Sequence, residues 1–200
     1  LSADCHEAFR RRFDHSFVLI TIKLVDDANI AETVIVDENV NIDLNGHKIT
    51  SDGNNSHAFR IAADVTVENG TIEMTDGGYC FIIGYNTGVA GKLTIKSGTY
   101  KGNTSLASVT YGTLNIEGGY FSVDPYGGEG YENYNFMFNC VDRFYKSGDA
   151  VINITGGSFM GEISGFGIHG SASKGDPSHE GVININISGG SFERYGNDGY

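Results

Sequence analysis

Six stretches of the chain repeat one alternation: apolar, polar, apolar, a short polar turn with glycine, then a large apolar residue. They are IDLNGHKI (42–49), VTVENGTI (65–72), LTIKSGTY (93–100), LNIEGGYF (114–121), INITGGSF (152–159) and INISGGSF (185–192). Period-two alternation sends the apolar side chains of each opening triplet to one face of a strand. The glycine turns the chain, and the closing Ile, Tyr or Phe returns to the same interior. Repetition at a fixed phase implies identical units stacked on one another, because only stacking places like residues over like residues.

Measured between the second apolar positions, Leu44, Val67, Ile95, Ile116, Ile154 and Ile187, the steps are 23, 28, 21, 38 and 33 residues. The shorter steps suit one coil of a parallel β-solenoid, and the two longer ones suit coils carrying inserted loops. The expected fold is therefore all-β: a single-stranded right-handed parallel β-helix. Leu44, Val67, Ile95, Ile116, Ile154 and Ile187 form one interior ladder in this reading, and Phe121, Phe159 and Phe192 lie in a second, with Ile49, Ile72 and Tyr100. An antiparallel sandwich also accommodates short strands with glycine turns. The recurrent glycine–aromatic junction favours stacking. Helical repeat arrays are excluded, since no helix-forming stretch of sufficient length follows residue 16.

Residues 1–16 form a separate unit, an N-terminal cap or arm. In AFRRRF, Phe9 and Phe13 are four apart, on one side of a short helix. Such a cap would cover the open edge of the first coil. The β-helix then runs over 17–200, with insertions at about 124–149 and 161–181. FERYGNDGY follows the last repeat without comparable cover, so a partner subunit or further chain is expected there.

Composition sharpens this picture. Among 200 residues there are 29 glycines and only 2 prolines, as many tight turns require. The formal charge of −12 opposes binding to nucleic acid or to an anionic membrane surface. It mostly reflects an acidic exterior, with calcium held by clustered carboxylates as the weaker alternative. No other cofactor and no zinc site is expected. Cys5, Cys80 and Cys140 cannot all pair within one chain and read as free, mostly buried thiols. No apolar run is long enough for a transmembrane helix.

The first insertion concentrates aromatic and acidic residues: Tyr126, Glu129, Tyr131, Glu132, Tyr134 and Asp142. Rings beside carboxylates and amides suit a glycan-binding surface. The same rings also suit a subunit interface or packing of the loop on the solenoid, and this second reading is favoured. Within the insertion, NFMFNCV alternates and is expected to be a further wall strand. In the second insertion, Ile168-His169-Gly170 resembles the Gly-His-Gly of polygalacturonase-type hydrolases. The accompanying Asn-Thr-Asp and Arg-Ile-Lys elements are missing, and the one paired aspartate, Asp26-Asp27, is distant in sequence. No nucleophile elbow, phosphate loop or HExxH occurs. No catalytic residues are assigned, and the balance leans away from an enzyme. The outward rank Thr66, Thr94, Asn115, Asn153 and Asn186 reads as a structural amide ladder, not as an ice-binding Thr-x-Thr array.

VNIDLNGHKIT, LNIEGGYFSV and INITGGSF carry a resemblance. Over approximately residues 20–195 the chain resembles the pectate-lyase-like right-handed β-helix proteins of gut bacteria and their phages. The resemblance implies a non-enzymatic structural or recognition role on a virion or bacterial cell surface, as in adhesin-like proteins and phage head-fibre or tail-spike components. It implies an extracellular homo-oligomer, often a trimer, contacting other virion or cell-surface proteins. The competing expectation is a carbohydrate-binding module, or a polysaccharide lyase or hydrolase acting on a surface glycan.

Overall fold

In the computed structural model, the described residues are 19–52, 57–84, 89–103, 105–124, 136–139, 148–161 and 183–193. Within them the chain is all-β, with no helix. It lays down strands in successive rungs. The first rung is β1 (Ile20–Lys23), β2 (Ala28–Ile30) and β3 (Val34–Val36). The second is β4 (Val40–Asp43), β5 (Lys48–Ser51) and β6 (Phe59–Ile61), and the third β7 (Asp64–Glu68), β8 (Thr71–Met74) and β9 (Tyr79–Ile83). Then come β10 (Gly91–Ile95), β11 (Thr99–Asn103) and β12 (Ser105–Val109), followed by β13 (Gly112–Ile116), β14 (Tyr120–Asp124) and β15 (Phe136–Asn139). The last two rungs contribute β16 (Ala150–Ile154) with β17 (Ser158–Met160), and β18 (Ile183–Ile187) with β19 (Ser191–Glu193).

Like strands of successive rungs pair in parallel, giving three rows. Row A is the seven-stranded sheet β1-β4-β7-β10-β13-β16-β18. Row B runs β2-β5-β8-β11-β14-β17-β19, and row C runs β3-β6-β9-β12-β15. A single antiparallel bridge, Asn103 with Ser105, links β11 to β12 at the corner between rows B and C. Stacked parallel strands rule out the antiparallel sandwich for these residues.

Like residues do lie over like residues. In row A, Ile22, Ile42, Val67, Ile95, Ile116, Ile154 and Ile187 share one register position. In row B the corresponding column is Ala28, Ile49, Ile72, Tyr100, Phe121, Phe159 and Phe192. Nearly all of these side chains inside the end rungs are sealed from water, as buried parallel sheets require. The aromatic part of the row B column is a continuous stack. Centroids are 5.3 Å apart for Tyr100–Phe121, 4.7 Å for Phe121–Phe159 and 5.0 Å for Phe159–Phe192, with rings within 13° of parallel.

The sequence reading erred at one rung of the row A column. Leu44 is not in register with Val67; Ile42 is. The turn Leu44–His47 is two residues longer than the turn at Asn69-Gly70, so matching the rungs by their closing Ile49 and Ile72, which do pair, places the opening triplet two residues out of register. A two-residue slip preserves the inward face, and Leu44 is still buried, packed in the turn against Gly70. The first rung, Ile20–Val36, lies inside the expected bounds of 17–200 but outside the six repeats, because it lacks the glycine–aromatic junction. Conversely, NFMFNCV does supply a wall strand: β15 pairs with β12. The cap expected at residues 1–16 lies outside the described residues.

Turns between rows A and B stack as regularly as the strands. Thr99 N–H donates to Gly70, Tyr120 to Gly98, Ser158 to Gly119 and Ser191 to Gly157, all at 2.8–2.9 Å. Gly98, Gly119, Gly157 and Gly190 each hold φ between 99 and 118°, a region costly for residues with a Cβ. In the third rung the left-handed position shifts back to Asn69, at φ 63°, a residue type that tolerates it.

Candidate functional site

The outward side of row A is organised by side-chain amides. Asn115 Nδ2 donates to Thr94 Oγ1 at 3.3 Å, Asn153 Nδ2 to Asn115 Oδ1 at 2.8 Å, and Asn186 Nδ2 to Asn153 Oδ1 at 2.8 Å. Asn115 and Asn153 each donate to one neighbouring rung and accept from the other, and Asn186 donates at the end of the rank. This matches the ladder expected from sequence.

Charged groups on the outer surface are likewise tied to one another. Glu73 takes Lys48 Nζ at 3.1 Å and lies 3.6 Å from Lys101 Nζ, and the Lys48 hydrogen bond is the main reason its carboxyl titrates low. Lys92 pairs with Asp64 at 2.8 Å. At the turns, the Lys48 backbone N–H lowers Asp27, and the Asn45 N–H lowers Asp43, each by favouring the carboxylate.

A different chemistry gathers on row C. The His57 ring stacks on Tyr79, with centroids 4.8 Å apart and planes 10° from parallel. His57 Nδ1 accepts the Tyr79 backbone N–H at 3.2 Å, and the His57 N–H donates to Thr33 Oγ1 at 3.1 Å. Across the row, Asn139 Nδ2 donates to the Tyr79 hydroxyl at 3.3 Å. Burial pushes the His57 imidazole down to about 4, assisted by the positive charge of Arg60. Outward residues of this row are unusually well covered. Ile82 pairs with Arg60 and Ser108 and stands outside the core cluster, yet is fully buried, and Ser105 and Ser108 are buried too.

Asn139 belongs to β15, the described part of the first insertion. The candidates themselves, Tyr126, Glu129, Tyr131, Glu132, Tyr134 and Asp142, lie outside the described residues, as do His169, Cys5 and Cys140. Sequence reading did not single out His57, Tyr79 or Asn139. A lone His and a lone Tyr on separate rungs carry no spacing signal, and only the register brings them together.

Cys80 is a buried free thiol. Its Sγ lies 3.3 Å from the Lys101 carbonyl oxygen, and burial pushes its pKa far up. Such a thiol is inert as a nucleophile. Among the described residues no three His, Cys, Asp or Glu side chains converge as a metal-ligand set, and no helix is long and apolar enough to cross a membrane. Comparison with protein-family descriptions, with characterised proteins and with solved structures returns no match.

Proposed function

We propose that the chain is a right-handed parallel β-helix acting as a rigid structural or recognition element, displayed on a virion or bacterial cell surface as a homo-oligomer. The observation that carries this reading is the pairing of outward side chains from rung to rung. The amide rank on row A and the Lys48–Glu73–Lys101 and Lys92–Asp64 groups each bond to neighbouring rungs. Side chains committed to one another stiffen the stack and present no convergent set of reactive groups. Residues 1–16 act as a cap on the first rung in this reading, and the aromatic insertion is the contact surface between copies.

The second reading is glycan binding or cleavage at the first insertion. What favours it is the hydrogen bond from Asn139 of β15 to the hydroxyl of Tyr79, whose ring stacks on His57, within an insertion whose sequence is rich in Tyr and Glu. Sedimentation equilibrium of the purified chain, a glycan array and a screen for unsaturated sugar products separate the two. A defined oligomer disrupted by Tyr131→Ala, with no glycan retained and no product released, supports the first. A stable monomer that retains a glycan or releases product overturns it.

A further inference from the structure

We propose that His57 is a protonation-operated latch fastening β15, the strand threaded through the first insertion, to the wall of the stack. Three contacts form the latch in series. Thr33 Oγ1 accepts the His57 N–H and fixes the backbone of the imidazole. His57 Nδ1 accepts the Tyr79 N–H at 3.2 Å while its ring lies flat on the Tyr79 ring. The Tyr79 hydroxyl then accepts Asn139 Nδ2, two rungs further along row C. Because Nδ1 is the acceptor, the ring carries its single proton on Nε2. A second proton has only Nδ1 to go to, where it would face the Tyr79 N–H. That bond is lost and the Tyr79 ring is pushed from its seat, taking with it the acceptor for Asn139.

Of the described elements around His57, β6 presents Arg60, whose charge opposes protonation, and β9 presents the Tyr79 phenol. The segment before β3 presents Thr33, and β15 presents the neutral Asn139. Burial and Arg60 together keep the latch closed near neutrality and set its opening at about pH 4.

The test is a pH titration of the whole chain by NMR from 7 to 3.5. It follows the His57 ring, the Tyr79 backbone amide, the Asn139 side-chain amide, and, as an internal control, the Asn153 side-chain amide. The expected result is that the first three change together while Asn153, held on row A, does not. His57→Phe keeps the stacking but removes the acceptor. In it, exchange of the Tyr79 amide is faster at pH 7, and the Asn139 signal no longer responds to acid. The proposal is overturned if His57 titrates without any change at Asn139. It is equally overturned if Asn153 is lost at the same pH, because the transition is then global unfolding.

Discussion

Phe121 shows how much one position contributes. It is fully buried between Tyr100 and Phe159 with both rings nearly parallel to its own. Truncation removes the buried ring, leaves a cavity and breaks two stacking contacts. Phe121→Ala should cost about 3–5 kcal/mol, part of it from ring pairs worth about 0.5–1.5 kcal/mol each. Phe121→Leu should cost clearly less. Urea unfolding midpoints of the two variants check the order. Gly112 is constrained in a different way: its φ is 132°, and a Cβ would fall 1.9 Å from the Gly91 carbonyl oxygen. Gly112→Ala therefore combines backbone strain of about 1–3 kcal/mol with a forced separation of β10 from β13. The expected result is a larger loss of thermal stability than from alanine at exposed Gly46, which has open space around it and only its φ of 82° against it.

At the scale of an element, the row A amide ladder makes a prediction with a pH signature. Asn153→Asp keeps an acceptor for Asn186 but places a carboxylate against Asn115 Oδ1, where an amide N–H had donated. The loss should be about 1 kcal/mol at neutral pH. A protonated acid restores a donor, so the gap to the parent should narrow as pH falls through the carboxyl's raised pKa. Equal gaps at pH 4 and pH 7 would show that the rank is not a hydrogen-bonded ladder. This rank was legible in the sequence because polar outward positions recurred at one phase of the repeat. Leu44 was misplaced for a related reason. The closing Ile marks the end of the turn, but turn length is set by backbone hydrogen bonds such as Gly46 N–H to Asn69 O, which leave no composition signal.

For the molecule as a whole, four groups slope stability in the same direction with pH. His57 is held at about 4 against an ordinary value of 6.5, so between these values the unfolded chain takes up a proton that the folded chain refuses. Asp27, Asp43 and Glu73 titrate below their ordinary values in the fold, so their contribution is present above those values and fades as pH falls below them. Melting temperature should therefore decline from about pH 6.5 downward, beginning with His57 and steepening as the carboxylates protonate. A flat profile between pH 6.5 and 5 would contradict a buried neutral imidazole. The row-by-row stack was readable in advance wherever the glycine–aromatic junction recurs. The first rung as a repeat, and row C apart from β15, were not, because Ile20–Val36 lacks the junction and row C strands sit at irregular distances from it. The His57–Tyr79–Asn139 cluster was invisible for the same reason, since its members come from three different rungs of that row.

The row B column changes character along its length, from Ala28, Ile49 and Ile72 to Tyr100, Phe121, Phe159 and Phe192. The chain has no tryptophan, and nine of its 11 tyrosines follow Val89, so near-ultraviolet optical activity is weighted toward the later part of the chain, while backbone absorption bands sample every rung alike. Heating followed at both wavelengths thus compares one half of the molecule with its entirety. Coincident curves mean that the earlier and later rungs melt as one cooperative body, and separated curves reveal which part lets go first.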